Sequence, residues 1–360
     1  MKTCVRAFLL TLIIAFGYAK LWDNNDVNND EICLQNIWPI FAGGSSRDLV
    51  NCFAYHKESN LILVGGNTTS SDFAPAANEH GYLYALDMDG NFKWGRFFYN
   101  VSYAVSDISG CQLSSDGESL AVFGKGKSQP IVMEMDIAKG TSKNFLSMEY
   151  YLTSDTVTPD YKTFGAIYYD KKDYFNGKPY YYLSFLMDKK LELVKLEAPQ
   201  TESGAPRIDW SYEFYDFSTT EATDQYRRKE PMNIFPDPID NQVFYLTGRY
   251  QGNGMIMRFN KINGRLRWYA KLEKMSIIRA WSQVPLDRHF YACGDFETAY
   301  AADNINTAEH TAAAFRMRND GQMMWYSTFS GPNSLSTAKK MDRCFGISYS
   351  FETREVSVLI

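Results

Sequence analysis

The sequence predicts an all-β fold built from repeated four-stranded units, the architecture of a β-propeller. Three observations lead to this expectation: a two-strand cassette recurs along the chain, a second hairpin follows each copy, and 16% of the residues are aromatic. Flat aromatic side chains suit the pleated surface of strands, and a hydrophobic fraction of 45% is too high for a disordered chain. Such repeats are typical of folds whose units bury their faces against one another.

The cassette consists of an alternating strand, a polar turn that contains Gly, and a strand that carries Trp. It is clearest in the stretches that start at Gly81, Gly254 and Ala312, where the Gly lies four positions before the Trp. These pairs are Gly90 and Trp94, Gly264 and Trp268, and Gly321 and Trp325. Weaker copies have Asn144 or Trp210 at the Trp position, and Trp38 lies in a lone strand near the N-terminus. We expect these Trp rings to pack against the next unit, burying roughly 200 Å² of aromatic surface in each copy.

A hairpin and the cassette that follows it make one blade of four short strands. The pattern predicts about six blades, of which five are complete, near residues 49–98, 108–148, 163–214, 232–271 and 277–329. The sixth is partial. Its two inner strands fall within 343–360, and the strand with Trp38 is expected to close it and remove the free sheet edge. One strand is still missing, so the closing blade has three strands or the chain is part of a longer protein, with six or seven blades in the ring.

The first 19 residues have the pattern of a signal peptide. Lys2 and Arg6 precede the apolar run 7–16, and the small residues Gly17 and Ala19 mark a cleavage position. An uncleaved N-terminal anchor is the alternative. The pattern predicts a secreted or extracellular protein, or one attached to a surface as part of a longer chain, with a single propeller domain over residues 20–360.

The charge pattern argues against two classes of partner. The chain has 37 basic and 42 acidic residues, a formal net charge of -5, and no run of Lys or Arg longer than three residues. Nucleic acid is therefore a poor partner, and because no later stretch approaches eighteen apolar residues, no direct membrane insertion is expected after signal cleavage. An unknown extracellular protein or glycan remains the expected ligand.

Two features of the sequence belong to secreted proteins. Asn67-Thr-Thr and Asn100-Val-Ser are acceptor triplets for N-glycosylation. Five cysteines follow the signal segment, and an oxidising compartment permits disulfides, although spacing does not reveal connectivity. If the first and last blades meet, Cys52 and Cys344 form the candidate disulfide, with Cys111 as the rival partner. The alternative, three buried thiols that pack like small apolar residues, is the favoured expectation.

The stretch 41–98 resembles the SBBP-type β-propeller repeat. The residues that follow that family's order are Gly43, Gly44, Asp48, Gly66, Thr68, Asp72, Phe73, Asp89, Gly90 and Trp94. The cassettes are also similar to the Trp-docking repeats of quinoprotein-like (PQQ-like) propellers, at Asp136, Gly140, Asn260, Asn263, Gly264 and Trp268. The resemblance implies a propeller over nearly the whole mature chain. It implies fold rather than function, although such propellers often accompany adhesion-type modules.

Motifs that carry chemistry are scarce. Asp87, Asp89 and Asn91 place oxygens at alternate positions, as calcium loops do, but a tight turn between strands is the favoured interpretation. The stretch 121–128 is similar to a phosphate-binding loop, yet a strand follows it where the mechanism needs a helix. No catalytic residue and no cofactor is predicted, since the vicinal cysteines of quinone-dependent enzymes are missing.

The sequence therefore favours a binding, adhesion or structural module over an enzyme. The alternative is a secreted hydrolase or lyase whose site lies at the mouth of the central channel. That alternative requires His, Asp or Glu side chains that converge there with perturbed pKa values.

Overall fold

The structure is a computed structural model of the 360-residue chain. It describes residues 43–72, 79–98, 105–126, 130–148, 165–187, 190–199, 207–214, 230–250, 253–273, 275–283, 288–297, 310–329, 344, 346–350 and 352–359. The predicted signal peptide, the strand with Trp38, and Asn100 lie outside these residues. Within the described ranges, no helix is found that is long and apolar enough to cross a membrane.

Five four-stranded antiparallel sheets follow one another along the chain, and a two-stranded sheet comes last. Blade 1 contains β1 (Asp48–His56), β2 (Leu61–Thr68), β3 (His80–Asp87) and β4 (Phe92–Phe97). Blade 2 contains β5 (Asp107–Leu113), β6 (Ser119–Lys125), β7 (Pro130–Asp136) and β8 (Ser142–Ser147). Blade 3 contains β9 (Gly165–Asp170), β10 (Tyr180–Met187), β11 (Lys190–Glu197) and β12 (Arg207–Phe214).

Blade 4 contains β13 (Glu230–Pro236), β14 (Val243–Tyr250), β15 (Asn253–Asn260) and β16 (Leu266–Leu272). Blade 5 contains β17 (Met275–Gln283), β18 (His289–Glu297), β19 (His310–Arg318) and β20 (Met323–Phe329), and blade 6 contains β21 (Gly346–Ser350) and β22 (Glu355–Leu359). The predicted fold class is confirmed, with five complete blades and one partial blade among the described residues. Closure of blade 6 by the strand with Trp38 stays a prediction.

The hydrophobic core lies between the blades. The first strand of each blade contacts the first strand of the next, from β1 through to β21. A separate apolar cluster fills each seam, and the one between blades 1 and 2 contains the fully buried Leu83 and Leu120. The other face of blade 1 is also buried, at Ile62, Val64 and Tyr82. Because a twisted sheet buries both faces only between neighbours, this face is where a closing blade is expected.

Trp residues on the outer strands link neighbouring blades. Trp94 is 7% exposed, and its Nε1 donates a hydrogen bond of 2.8 Å to the carbonyl of Ile137 in the β7–β8 turn of blade 2. Its ring covers Gly140, where φ is +62° and a Cβ would overlap the indole. The same contact recurs between Trp210 and Lys261 at 3.1 Å and between Trp268 and Asn319 at 3.2 Å, beside Gly264 and Gly321 respectively.

The cysteines form two disulfides, neither of which is the predicted Cys52–Cys344 bridge. Cys52 pairs with Cys111, the rival partner, and Cys344 pairs with Cys293. The expectation of three buried thiols was therefore also wrong. It rested on the distance between neighbouring inner strands, but β1 and β5 bring the Cα atoms of Cys52 and Cys111 to 5.4 Å, within the range that a disulfide spans.

The two ends of the ring differ. In every complete blade the first strand begins, and the fourth strand ends, at what we call the loop end, and the opposite end is the turn end. The longest connections between strands, 148–164, 215–229, 298–309 and 330–345, all join strands at the loop end. Connecting segments positioned by a rigid scaffold commonly carry binding function. The loop end is accordingly where a functional site is to be sought.

Candidate binding site at the loop end of blades 1 and 2

The residues of the family-like motif form a hydrogen-bonded network at the loop end of blade 1. Asp48 begins β1, and its carboxylate accepts hydrogen bonds from the backbone N–H of Gly44 at 2.6 Å and from the hydroxyls of Thr68 and Ser70. Asp72 accepts from the backbone and the hydroxyl of Ser45, at 2.8 and 2.9 Å. The motif thus ties the segment that enters β1 to the segment that leaves β2.

Asp107 occupies the same position in blade 2, but its environment is different. It begins β5, is 0% exposed, and its Oδ1 accepts a hydrogen bond of 2.7 Å from Nδ2 of Asn51. The ladder pairs Asp48 with Thr68 but Asp107 with Lys125, so the hydroxyl donor is replaced by a cation. Oδ2 of Asp107 is buried, and no hydrogen-bond partner within the described ranges reaches it.

Asn51 reaches across the seam because of a β-bulge. The register of β1 against β2 shifts between Val50 and Cys52, which leaves Asn51 as the extra residue. Bulges re-aim side chains, and here the amide is directed into blade 2. Its Nδ2 also donates to the carbonyl of Ile108 at 3.0 Å. The bulge therefore places the amide of Asn51 where it donates to both the carboxyl group of Asp107 and the backbone of β5.

Burial and a neighbouring carboxylate change the acidity of Asp107. Burial, followed by the charge of Glu79, raises the pKa of Asp107 to about 7, against the opposing effects of Lys125, Asn51 and Arg47. A carboxyl group inside a protein titrates late because the charged form loses its hydration. The group is therefore poised between its two protonation states near neutral pH, which is typical of functional sites.

Charged side chains of both signs surround this buried group. Arg47 and Glu79 are exposed and Lys125 is partly buried. Glu79 Oε1 accepts a hydrogen bond of 2.7 Å from Nδ2 of Asn67, which fixes its position. The Cys52–Cys111 disulfide joins the same two strands, next to Asn51. The seam is therefore held covalently, which restrains the two strands that carry this polar cluster.

Two other buried carboxylates, those of Asp170 and Asp295, have charged partners. Asp170 accepts from Lys261 of blade 4 at 2.9 Å, and both side chains are largely buried. Asp295 accepts from Arg279 at 2.7 Å and from the backbone N–H of Cys344 at 3.3 Å, next to the second disulfide. These pairs join neighbouring blades or strands. Asp107 differs from both, because one of its carboxylate oxygens is buried without a hydrogen-bond partner among the described residues.

The remaining predicted site residues fall elsewhere. Asp87 accepts hydrogen bonds from the backbone N–H groups of Asp89 and Asn91, and Lys93 lies 2.7 Å from its Oδ2. Although burial opposes it, the hydrogen bonds from Lys93 and Asn91 lower the pKa of Asp87 to about 2. These contacts are those of a tight turn whose carboxylate is already occupied. Across the described ranges, no group of three or more His, Cys, Asp or Glu side chains is placed to hold a metal ion.

Glycosylation of Asn67 does not agree with the structure. The side chain is 3% exposed within β2, and the nitrogen that would carry the glycan donates to Glu79. A bulky glycan needs an acceptor at the surface, so Asn67 is corrected to a structural residue. Glycosylation of Asn100 stays a prediction.

Comparison with known proteins bears on the fold. No family model matches the sequence, and no curated protein matches it either. Among solved structures, hydrazine synthase of Kuenenia stuttgartiensis aligns with a TM-score of 0.52 and 10% identity over 89% of this chain and 77% of that one. The chain is a β-propeller. At this identity the likeness shows the fold alone.

Two further solved structures are similar at lower scores. A protein of unknown function from Bacteroides caccae aligns with a TM-score of 0.46 and 13% identity, covering 78% of this propeller and 81% of that chain. The Dos1 propeller aligns with a TM-score of 0.47 and 11% identity, covering 86% and 74% respectively.

Sequence reasoning missed Asp107, Asn51 and Glu79, although one signal was present. Asp-Leu-Val-Asn-Cys begins at Asp48 and Asp-Ile-Ser-Gly-Cys begins at Asp107, so both segments place Asp four positions before Cys. When the first strands of blades 1 and 2 are aligned on this shared spacing, Asp48 matches Asp107 and Cys52 matches Cys111, its disulfide partner.

Proposed function

We propose that this propeller is an extracellular binding module whose ligand contacts the loop end of blades 1 and 2. The observation that carries the proposal is the buried carboxyl group of Asp107, which has one oxygen without a hydrogen-bond partner in the described part of the chain and lies among Arg47, Glu79 and Lys125. An uncompensated buried polar atom costs free energy, and proteins retain such groups where function requires them.

Two features support an extracellular location. The N-terminal pattern of charge, apolar run and small residues is that of a signal peptide. The Cys52–Cys111 and Cys293–Cys344 disulfides persist in oxidising compartments. An extracellular protein or glycan is therefore the class of ligand that we propose.

The proposal is tested with arrays of immobilised glycans and of recombinant extracellular domains, probed with the labelled, purified protein. Charge reversal at the rim, by Arg47→Glu and Glu79→Lys, should abolish the wild-type signals. The matched controls are Lys57→Glu and Glu58→Lys, in an exposed turn at the turn end of the same blade, and they should keep the signals.

The opposite outcome would place the binding surface elsewhere. Signals that survive both rim substitutions, or that disappear with the turn-end controls, would reject the loop end of blades 1 and 2. A wild-type protein that binds neither array would reject a binding role for the propeller.

An enzyme is the second candidate function, since a carboxyl group with a pKa near 7 is suited to general acid–base catalysis. Asp107 is 0% exposed, however, so a substrate has no access to it in this conformation. The geometry therefore favours binding at the charged rim over proton transfer at the buried carboxyl group.

A further inference from the structure

The dipeptide Asn-Gly occurs three times in the sequence, with its Asn at Asn176, Asn253 and Asn263. This dipeptide is reactive, because the backbone nitrogen of the Gly can attack the side-chain Cγ of the Asn and close a five-membered ring. The attack is intramolecular, and Gly has no side chain that would obstruct it. The three copies differ in the contacts that surround them, and these contacts determine how readily the ring closes and ammonia leaves.

Asn176 lies at the turn end, in the connection 171–179 between β9 and β10, and both polar atoms of its side chain are held. Its Oδ1 accepts a hydrogen bond of 2.9 Å from the backbone N–H of Lys178. Its Nδ2 donates a hydrogen bond of 2.9 Å to the hydroxyl oxygen of Tyr180. A donor at the carbonyl oxygen stabilises the charge that develops there when the carbon is attacked. A hydroxyl beside the amide nitrogen can supply the proton that this nitrogen needs as it leaves.

The attacking nitrogen belongs to Gly177 of the same turn. A Cβ built on Gly177 would meet no described atom within 4 Å, so its backbone can shift without displacing a packed side chain. Its N–H donates a hydrogen bond of 2.8 Å to the carbonyl of Asp173, and the attack must release this bond.

Asn263 is the natural comparison, because its turn has the same backbone contacts. Its Oδ1 accepts from the N–H of Arg265 at 3.1 Å, and the N–H of Gly264 donates to the carbonyl of Asn260 at 2.9 Å. Two features differ. The hydroxyl of Tyr212 donates to the backbone carbonyl of Asn263, and no hydrogen bond to its Nδ2 is formed within the described ranges. The ring of Tyr212 also covers Gly264, since a Cβ there would lie 2.4 Å from a ring carbon.

Asn253 lies in a sheet rather than in a turn. It begins β15, and the Gly254 that follows it is paired with Arg249 of β14 on one side and with Leu272 of β16 on the other. Ring closure would distort a backbone that both neighbouring strands hold, at the cost of ladder hydrogen bonds. Of the three copies, Asn176 therefore combines a polarised carbonyl, a proton donor at the leaving nitrogen and an unobstructed Gly.

We propose that Asn176 is a modification site, at which the folded protein loses the side-chain amide spontaneously. The bond from the nitrogen of Gly177 to Cγ forms while the N–H proton passes to water. The bond from Cγ to Nδ2 then breaks as Tyr180 protonates the departing ammonia, and solvent restores the proton of Tyr180. Water opens the cyclic imide to Asp or isoaspartate, so that water is consumed, ammonia is released and nothing is oxidised or reduced. The turn, which also contains Lys172 and Lys178, gains a negative charge.

Peptide mapping by mass spectrometry tests this inference on protein that is kept folded at mildly alkaline pH and sampled over several weeks. Digestion in heavy-oxygen water marks any conversion that takes place after the protein is unfolded. The product should accumulate at Asn176 at least about tenfold faster than at Asn263 or Asn253, the effect of a positioned proton donor. In protein incubated in denaturant the three rates should converge, because the local contacts are then lost.

A substitution separates proton donation from simple restraint of the side chain. Tyr180→Phe should slow conversion at Asn176 at least about tenfold, because the leaving nitrogen loses its proton donor. A tyrosine that merely restrained the amide would have the opposite effect, and its removal would speed conversion. Tyr174→Phe is the matched control, since it makes the same change in the same turn at a ring that is 69% exposed, and it should convert like the wild type.

Equal rates at Asn176 and Asn263 in the folded wild type would overturn the inference, as would a rate that Tyr180→Phe leaves unchanged or raises. If Tyr180→Phe does not fold, the comparison of folded with denatured wild type still decides, because the inference requires the three rates to diverge upon folding. The result is independent of ligand binding at the loop end, which the array experiment measures separately.

Discussion

Replacing the carboxyl group of Asp107 by an amide should change how stability depends on pH. Asp107 has its pKa raised from 3.8 to about 7 in the folded protein. Below pH 3.8 the group is protonated in both states and contributes nothing to this effect. Between pH 3.8 and 7 the unfolded chain releases the proton while the folded chain keeps it, so the free energy of unfolding falls as pH rises.

The size of the pKa shift determines the size of the effect. At about 1.4 kcal/mol per pH unit, the shift lowers the free energy of unfolding by about 4 kcal/mol, and this loss is complete above pH 7. Asp107→Asn removes this titration and keeps an oxygen that can accept from Asn51. We therefore expect the free energy of unfolding of the variant to equal or fall below that of the wild type at pH 4. Relative to the wild type, it should then rise by up to about 4 kcal/mol by pH 8.

The assay is chemical denaturation of both proteins at several pH values, followed by Trp fluorescence. The difference between the two unfolding free energies is the quantity to plot, because other titrating groups then cancel. Asp48→Asn serves as the control. Asp48 begins the equivalent strand and accepts three hydrogen bonds, so its substitution should lower the free energy of unfolding through the loss of these bonds. A difference between Asp107→Asn and the wild type that stays constant from pH 4 to pH 8 would refute the reasoning.

The Trp contacts between blades, the first disulfide and the predicted signal peptide can each be tested separately. Trp94→Ala should cost about 3 to 5 kcal/mol, because it leaves a cavity and an unpaired turn carbonyl, whereas Trp325→Ala should cost much less; urea denaturation of both variants compares them. Peptide mapping without reduction should recover Cys52 linked to Cys111, and a free thiol on either would contradict the structure. N-terminal sequencing of protein from culture medium should begin at or near Lys20, and recovery of the intact N-terminus would reject signal cleavage.

Local pattern was sufficient to predict most of the fold. The recurring cassettes and hairpins located five blades within a few residues, because turn chemistry and alternation act over short distances. The Gly of each turn and the Trp of the preceding blade also meet in the structure, as Gly140 and Trp94 do. The sequence repeat therefore encodes the contact between neighbouring blades.

The candidate site was beyond the reach of local pattern. Asp48 and Asp107 begin equivalent strands, yet one carboxylate meets hydroxyl donors and the other meets Asn51 from a neighbouring blade. That difference depends on burial and on a bulge, neither of which spacing encodes. The prediction of the disulfides failed for a related reason. It assumed that the inner strands of neighbouring blades lie too far apart for a bridge, whereas the Cα atoms of Cys52 and Cys111 lie 5.4 Å apart in the structure.

The two disulfides lie at the first and the last seam of the described blades, which affects how the molecule comes apart. Cys52–Cys111 joins blade 1 to blade 2, and Cys293–Cys344 joins blade 5 to the segment that leads into blade 6. In a stacked array the terminal repeats fray first, since each has fewer neighbours than an interior repeat. Covalent links at these seams make detachment of an end blade depend on unfolding of the interior blade beside it. Under reducing conditions unravelling can start at the ends, so the redox potential of the surroundings sets the cooperativity of unfolding and the resistance of the chain to proteases.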